Sequence, residues 1–253
     1  MCGRYQRRSD KQRIAEAFAL GNDDGLSSEL APDYNVAPHT MQPAIVWDEQ
    51  FGTRRLHMML WRFLPRFVMN PKTSTRPTIN AKGETLLKNH IWRESFMTRR
   101  CLIPADSFLQ WLKEDGQQLP YVFAMRDNSP FGFGGVWCRW WSPQRRRGLD
   151  TFAIITVESN ELVAEKTGHD RMPLIVARKD RRRWLGPGDP AQPPVDLLRP
   201  FDSHLMKAWR ADQRINDVKN NDPGVGEPLK EDEGNGQFGM LRAAAKQQPE
   251  QDK

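Results

Sequence analysis

Apolar residues in this chain occur in many short runs, and none approaches the ~18 residues that span a membrane. The runs are rich in aromatic and β-branched side chains, which favour strands, and turns containing proline, glycine or asparagine separate them. Short amphipathic stretches interrupt them without regular alternation of strand and helix, which disfavours a parallel α/β sheet. The pattern predicts an α+β fold: a single domain with a curved, largely antiparallel, barrel-like β-sheet flanked by short helices.

The individual elements follow from these runs. Strands are predicted at Ala44–Asp48, Arg55–Trp61, Cys101–Pro104, Ser107–Leu112, Tyr121–Met125, Phe131–Trp137, Thr151–Val157 and Leu174–Ala177. Helices are predicted at Asp10–Leu20, Asn80–Phe96, Glu158–Glu165 and Phe201–Ala211. The strands on either side of Asp106 are expected to pair with each other.

Length and composition favour one domain followed by a polar tail. The chain has 253 residues, of which 38% are hydrophobic and 28% charged. Residues 1–226 are predicted to form the domain, and residues 227–253, which are poor in apolar side chains, are predicted to be disordered. The net charge of +6 suits a polyanionic partner.

Cysteine usage indicates a reducing compartment. The sequence has 3 cysteines, Cys2, Cys101 and Cys138, without Cys-x-x-Cys spacing. This disfavours a disulfide framework and a zinc site, so we expect no metal and no cofactor. Cys101 and Cys138 stand among apolar residues and are expected to be buried small hydrophobes. The N-terminus lacks the apolar region of a signal peptide, and we expect a cytoplasmic monomer without a membrane partner.

Cys2 has a chemistry that an internal cysteine lacks. If Met1 is removed, Cys2 carries both a free α-amine and a thiol, and the pair can close a five-membered thiazolidine ring on an aldehyde. With an α-amino pKa of ~8, roughly one amine in ten is unprotonated at pH 7. Positive charge near the thiol, for example from Arg4, would favour the thiolate.

Other polar residues have structural interpretations when each is taken alone. Asn80 can cap a helix that follows it, and His169 in a turn is more often a hydrogen-bonded surface or core residue than a catalyst. Trp61 and Phe63 are more often core residues than platforms for nucleobases. Their occurrence together, in one order, is what favours a functional interpretation.

The ordered motifs resemble one known family. They are Met1-Cys2-Gly3-Arg4-Tyr5, Tyr34-Asn35-Val36-Ala37-Pro38, Trp61 with Pro65, Ile79-Asn80-Ala81, Arg100-Cys101-Leu102-Ile103-Pro104-Ala105-Asp106 and His169-Asp170-Arg171-Met172-Pro173. From Cys2 to about Asn221 the chain resembles the SOS-response-associated peptidase-like (SRAP) proteins, which sense abasic sites in single-stranded DNA. The resemblance implies a barrel-like α+β domain, a positively charged DNA channel and a thiazolidine crosslink between Cys2 and the abasic sugar.

The resemblance also implies roles for individual residues. Asn80 matches the asparagine that holds Cys2 and the sugar, and His169 matches the histidine that transfers protons at the sugar. Phosphate contacts are expected from Arg4, Lys82, Thr156 and Arg171, and Gly3 is expected beside the DNA. Trp61 and Pro38 are expected to wedge against bases next to the lesion. The expected partner is single-stranded DNA with abasic sites, which places the protein at the nucleoid.

Gln110 departs from the family pattern. After Pro104-Ala105-Asp106 the family has a glutamate that acts as acid or base in opening the sugar ring, and this chain has Gln110. An amide donates and accepts hydrogen bonds but does not deliver a proton at pH 7. Crosslinking competence is therefore expected to rest on Cys2 and Asn80, whereas the role of Gln110 in the rate stays open.

Three functions compete at this stage. The favoured function is a sensor that forms a DNA–protein crosslink and shields the lesion, with lyase-like Schiff-base chemistry. The second is a non-covalent single-stranded DNA-binding protein whose chemistry is weakened by Gln110. The third is a cysteine hydrolase in which Cys2 removes Met1. Crosslinking to abasic DNA separates the first from the other two.

Overall fold

The computed structural model describes residues 2–21, 29–69, 78–142, 147–186, 188–189 and 191–229. Its strands are β1 (Tyr5–Arg7), β2 (Asp33–Val36), β3 (Met41–Asp48), β4 (Thr53–Trp61), β5 (Asn80–Lys82), β6 (Arg100–Ala105), β7 (Ser107–Glu114), β8 (Gln117–Met125), β9 (Phe131–Ser142), β10 (Arg147–Glu158), β11 (Arg171–Pro173), β12 (Ile175–Val176) and β13 (Met206–Arg210). Its α-helices are α1 (Lys11–Phe18), α2 (Arg93–Thr98), α3 (Glu161–Thr167) and α4 (Arg181–Leu185).

Five of these strands close a barrel in the order β10-β4-β3-β6-β9 and back to β10. The pairings are antiparallel except for β4 with β10, which run parallel and place Trp61 opposite Phe152. Gly135 in β9 permits the close approach of both neighbours, since a Cβ there would lie 2.5 Å from Cδ1 of Ile103 and 2.9 Å from the carbonyl oxygen of Ala153. The prediction of a curved, largely antiparallel, barrel-like sheet is confirmed.

A second, antiparallel sheet has the order β13-β8-β7-β1-β2 and carries the N-terminus in its β1 strand. The strands on either side of Asp106 are therefore real, but they do not pair with each other as predicted: β6 belongs to the barrel and β7 to this sheet. Asp106 is the residue at which the chain passes from the barrel to the second sheet. Its carboxylate accepts hydrogen bonds from the backbone nitrogen and the hydroxyl of Ser9 at 2.8 and 2.6 Å. The two sheets are thus joined directly beside the N-terminal strand.

Two helix predictions are wrong, for the same physical reason. The segment predicted as a helix from Asn80 begins instead with β5, which pairs in parallel with β10, and α-helical structure starts only at Arg93. The segment predicted as a helix at Phe201–Ala211 contains β13, which pairs with β8. In both places a sheet edge supplies hydrogen bonds to the backbone, and this tertiary pairing overrides weak local propensity. The predicted helices near α1 and α3 are present.

An aromatic cluster anchors the N-terminal strand. Tyr5 is fully buried, with its ring centroid 5.3 Å from that of Trp61 and 5.5 Å from that of Phe133. Trp61 in turn stacks on Phe152 at a centroid distance of 6.3 Å and an interplanar angle of 6°. Burial of such side chains contributes about 1.5–3 kcal/mol each, so residues close to Tyr5 in the chain are held firmly. Cys2 is one of them.

Two further features bear on the predicted organisation. Among the described residues, no helix has the length and apolar character needed to cross a lipid bilayer. The first part of the tail predicted at residues 227–253 contacts the domain: Pro228 bridges to Ala211, and the Leu229 nitrogen donates to the carbonyl of Arg210 at 3.0 Å. The rest of that predicted tail, residues 230–253, lies outside the described residues.

Candidate active site

Cys2 lies in the interior of the fold. Its side chain has no solvent exposure, and its Sγ lies 3.7 Å from the carbonyl oxygen of Arg4. Burial raises the pKa of the Cys2 thiol to about 12. The thiol is therefore protonated at neutral pH, and formation of the nucleophilic thiolate requires access to solvent or a proton acceptor. Cys101 and Cys138 are likewise buried and free, as predicted.

Asn80 makes the direct contact with Cys2. It occupies the first position of β5, and its Nδ2 donates to the backbone carbonyl of Cys2 at 2.8 Å. The carboxamide oxygen of Asn80 is buried and has no hydrogen-bond partner among the described residues. Buried acceptors are nearly always paired, so an unpaired oxygen next to a reactive residue is a place for a donor to bind. The sequence-predicted pair of Cys2 and Asn80 is thus in contact.

Gln110 and His169 lie on neighbouring parts of the fold, β7 and the turn after α3. Gln110 is buried, and its Nε2 donates to the carbonyl of Arg171 at 3.2 Å. His169 follows Gly168, whose φ of +68° ends α3 and turns the chain. The backbone of Trp111, the neighbour of Gln110, lies close enough to the imidazole to influence its pKa. Burial lowers the pKa of His169, against the opposing influence of that backbone and of Asp170, so the ring is neutral near pH 7.

Arg171 has an acidic partner in the predicted phosphate site. Its Nη1 and Nη2 contact the two carboxylate oxygens of Glu84 at 2.6 and 3.1 Å, and Nη2 also lies 3.4 Å from the hydroxyl of Thr156. The hydrogen bond from Arg171 lowers the pKa of Glu84, so the carboxylate stays charged. Lys82 pairs with Thr156 across the strands and is exposed. These cations, with the intervening carboxylate, form one charged surface.

The remaining contacts close a ring of interactions around Cys2. Asn80 connects Cys2 to β5, which pairs with β10, and β10 pairs with β11, where Arg171 lies. Gln110 connects Arg171 to β7, and the neighbouring Leu109 donates its backbone nitrogen to the carbonyl of Arg4 at 3.1 Å. Arg4 is the residue whose carbonyl faces the Cys2 thiol. Residues from distant parts of the sequence therefore surround this cysteine.

Arg4 points into the protein instead of towards the surface. Its Nη1 donates to Oδ1 of Asn35 at 2.7 Å and to the carbonyl of Ile215 at 3.0 Å, and its guanidinium lies 5.8 Å from the ring centroid of Trp111. Burial lowers the pKa of Arg4. These hydrogen bonds compete with the phosphate contact that the sequence predicts for this residue.

Trp61 does not have the predicted placement. Its side chain is completely buried, and its indole nitrogen donates to the carbonyl of Ile79 at 3.0 Å. In this conformation it cannot wedge against a nucleobase, because the aromatic core occupies its faces; it serves as a core residue instead.

Pro38 is half-buried in the loop before β3. Gly3 is half-buried, and a Cβ on it would meet no atom within 4 Å.

The structure adds polar residues that sequence reasoning did not assign to the site. Glu84 was visible only as a carboxylate near Lys82, and its pairing with Arg171 depends on a contact 87 positions apart in the chain. Asn35 stood in a motif without a role. Trp111 follows Gln110, and its backbone lies near the His169 imidazole. No group of three or more His, Cys, Asp or Glu side chains in the described part of the chain is arranged to hold a metal ion.

Comparison with known sequences identifies related proteins over most of the chain. The sequence profile of the family described as SOS response associated peptidase (SRAP) matches residues 1–218. The abasic site processing protein YoqW of Bacillus subtilis (strain 168) is 33% identical over 226 residues, which is 88% of this chain and 97% of that protein. The abasic site processing protein HMCES of Xenopus tropicalis is 25% identical over 79% of this chain and 67% of that protein.

Comparison with solved structures supports the same fold. A crystal structure of a protein from Bacteroides thetaiotaomicron has a TM-score of 0.79 and 23% identity, covering 90% of this chain and all of that chain. A protein from Bordetella bronchiseptica has a TM-score of 0.70 and 22% identity, covering 83% of this chain and all of that one. At these identities the similarity concerns the fold.

Proposed function

This chain belongs to the SOS response associated peptidase family, and on that premise we propose that it processes abasic sites in single-stranded DNA. The product is a covalent thiazolidine crosslink through Cys2, which shields the lesion. The observation that carries the proposal is the contact of Asn80 with Cys2, because it combines a held nucleophile with an unpaired acceptor oxygen. The relatives named abasic site processing proteins support the same substrate.

The reaction begins with removal of Met1, which frees the α-amine of Cys2. The amine adds to the aldehyde carbon of the ring-opened abasic sugar, and loss of water leaves a Schiff base. The thiol then adds across the C=N bond: a C–S bond forms, the S–H proton passes to nitrogen, and the thiazolidine ring closes. Because both nucleophiles belong to one residue, the second step is intramolecular and gains from proximity.

Asn80 and His169 have separate tasks in this scheme. The amide nitrogen of Asn80 holds the Cys2 backbone, and its free oxygen accepts a hydrogen bond from the Cys2 amine or a sugar hydroxyl. His169 is neutral near pH 7 because burial lowers its pKa, so it accepts a proton during opening of the sugar ring. Gln110 positions this part of the site through its bond to the Arg171 carbonyl.

The DNA backbone is proposed to follow the two cations beside this site, the exposed Lys82 and the half-buried Arg171. Lys82 and Arg171 supply charge, and Thr156 lies between them, so one phosphate can contact both strands β5 and β11. Pro38 and Gly3 are proposed to lie against the nucleotides next to the lesion. The protein acts as a monomer on chromosomal single-stranded DNA in the cytoplasm.

A non-covalent single-stranded DNA-binding function is the second candidate, and Gln110 is the observation that favours it. Without the family carboxylate, binding would persist while ring opening slows. The buried, protonated state of the Cys2 thiol points the same way. Self-removal of Met1 by Cys2 remains compatible with either function.

The deciding experiment is crosslinking to uracil-excised single-stranded DNA. The mature protein should produce a species that migrates slowly on a denaturing gel. Cys2→Ala and Cys2→Ser keep the α-amine but lose the thiol, so without borohydride neither should produce this species, and both should leave only a Schiff base that borohydride must trap. A wild-type protein that binds this DNA yet gives no denaturant-resistant species would favour the non-covalent function. A full-yield crosslink in Cys2→Ala would exclude the thiazolidine mechanism. Intact mass establishes whether Met1 is absent in each sample.

A further inference from the structure

The C-terminal part of the domain packs over the N-terminal strand that carries Cys2. Residues 211–227, called here the C-terminal strap, include the fully buried Ile215 and Val225, which pack with Leu109 of β7. The strap is also tied to β1 by Gln6, whose Nε2 donates to the carbonyl of Val225 at 2.8 Å. Gly226 allows this contact, since a Cβ on it would lie 2.6 Å from that same nitrogen.

Asn35 makes the densest set of contacts to the strap. Its side chain is buried in β2, and its Nδ2 shares its two protons among three strap carbonyls: Ile215 at 3.2 Å, Asp217 at 3.0 Å and Asn220 at 2.8 Å. Its Oδ1 accepts from Arg4 Nη1 at 2.7 Å. A single carboxamide therefore uses its donors on the strap and its acceptor on Arg4.

Arg4 continues this network to the reactive residue. The same Nη1 that reaches Asn35 also donates to the carbonyl of Ile215, so strap, Asn35 and Arg4 form a closed triangle of hydrogen bonds. The backbone carbonyl of Arg4 faces the Cys2 thiol at 3.7 Å and accepts the Leu109 nitrogen. Cys2 is thus held on one side by Asn80 and on the other by the backbone of Arg4.

We propose that Asn35 is a positioning residue: it couples the C-terminal strap to Arg4 and so holds the Cys2 thiol in place for its reaction with the abasic sugar. The relevance to catalysis rests on the proposed function, but the coupling itself is a property of the free protein and is measurable without DNA. Arg4 then acts through its position in this network, which explains why its guanidinium points inward.

The buried cysteines allow a direct test. Cys138 is a matched internal control for Cys2, because its Sγ also faces a backbone carbonyl, that of Arg139, at 3.7 Å. Cys101 is a second one, since it is fully buried in β6. The experiment measures alkylation of each thiol by iodoacetamide in the mature protein under native conditions, with peptide mass spectrometry to separate the three rates.

In Asn35→Ala we expect the alkylation rate of Cys2 to rise about tenfold or more, with the rates of Cys101 and Cys138 unchanged. The variant loses the hydrogen bonds that join the strap to Arg4, so the structure around Cys2 should open locally more often. Arg4→Lys keeps the charge but loses the second nitrogen that contacts the Asn216 carbonyl and the guanidinium plane near Trp111, and it should raise the Cys2 rate by a smaller factor. Glu227→Gln is the control on the same strap, because it removes only an exposed ion pair with Arg8 and should leave all three rates unchanged.

The outcomes are distinct. Equal increases at all three cysteines in both variants would mean that Asn35 merely stabilises the whole fold, and would overturn the proposal. An unchanged Cys2 rate in both variants would overturn it as well. A selective rise at Cys2 supports it, and the crosslinking rate of the same variants should then fall. If wild-type protein forms no crosslink at all, the proposed function fails while the alkylation result still decides the coupling.

Discussion

The side-chain nitrogen of Asn80 lies 2.8 Å from the backbone carbonyl oxygen of Cys2, and the side-chain oxygen of the same Asn80 has no hydrogen-bond partner among the described residues. One half of this carboxamide therefore holds the backbone of Cys2, the proposed nucleophile, and the other half is available to a ligand. The following predictions test this arrangement and the charges around it.

Replacing Asn80 should slow crosslinking more than it destabilises the fold. Asn80→Ala removes one hydrogen bond, which costs about 0.5–1.5 kcal/mol in stability. Asn80→Asp puts a second acceptor against the Cys2 carbonyl and should be worse in both respects. Single-turnover crosslinking rates and melting temperatures measure the two effects separately. Wild-type rates in a folded Asn80→Ala protein would show that the contact is incidental.

Gln110→Glu should accelerate crosslink formation, reversal or both, by up to about 10²–10⁴-fold, which is the usual contribution of a positioned acid or base. Gln110 donates to the Arg171 carbonyl at 3.2 Å. A glutamate in that buried place would face the same acceptor, so its pKa should be raised and its protonated form should be able to deliver a proton. Time courses of crosslinking and of release to a competing abasic oligonucleotide provide the measurement.

Gln110→Ala serves as the packing control for that experiment. Equal rates for wild type and Gln110→Glu in both directions would mean that another carboxylate performs the proton transfer. Two candidates for that role, Asp106 and Glu84, already have partners: Asp106 accepts from Ser9, and Glu84 pairs with Arg171. For this reason His169→Ala is expected to impair this protein more than it impairs a relative with the glutamate.

Glu84→Gln should strengthen binding to undamaged single-stranded DNA. The Glu84 carboxylate accepts hydrogen bonds from the Arg171 guanidinium, which is the group that we propose contacts the DNA phosphate. Removing this competing anion should lower the Kd by about threefold or more, which corresponds to the energy of one ion pair near the protein surface. Arg171→Gln should change the Kd in the opposite direction and reduce its salt dependence.

Glu94→Gln is the matched control for charge, because it removes a carboxylate that is paired with Arg99 and leaves Arg171 untouched. Fluorescence anisotropy over a series of salt concentrations measures each Kd. Weaker binding in Glu84→Gln would show that the pair with Arg171 holds the site in its binding conformation instead of masking it.

The crosslinking rate should rise with pH in two steps. One step reflects the Cys2 amine, with an ordinary pKa of ~8. The other lies below pH 6.5, because burial lowers the pKa of His169 from its usual 6.5. His169→Ala should retain only the step of the amine. A two-step profile that persists in His169→Ala would assign the acidic step to another group.

The same pKa shift makes a prediction for stability. A histidine whose pKa is lowered by folding stabilises the protein fully above its unfolded value of 6.5, and this stabilisation is lost as pH falls through the lower folded value. The half-buried His57 also has its pKa lowered by burial, and should contribute in the same direction. Melting temperatures between pH 7 and pH 5 should therefore fall less steeply in a His57→Ala, His169→Ala double variant than in wild type.

Removal of residues 230–253 should leave the melting temperature and the crosslinking rate unchanged. A cut before Glu227 should be more harmful, because it also removes the ion pair with Arg8 and the bridge of Pro228 to Ala211. Differential scanning calorimetry of the two truncations compares them directly. A large fall in melting temperature for the variant that lacks only residues 230–253 would show that these residues pack on the domain.

The local sequence indicated which residues to propose for the site, but it did not indicate how their side chains are oriented. The strand-rich fold was predictable from the sequence, and the chemistry of Cys2 and the motifs around Asn80 and His169 could be proposed from it, because all of these depend on residue type and short-range pattern. The helix predicted from Asn80 was wrong, since the strand there exists only by pairing with β10. The same holds for β13, which forms on the edge of β8.

The sequence by itself predicted that Cys2 carries the nucleophiles, which stays a prediction, and it predicted a barrel-like sheet, which the structure confirms. Only the tertiary structure decided that Trp61 faces the core, that Arg4 turns inward to Asn35, and that Glu84 covers Arg171. The physical reason is that a side chain's direction follows from the partners that folding brings to it from far along the chain. Composition and spacing do not identify such partners, because hydrogen bonds and packing across sheets form only once the strands are paired.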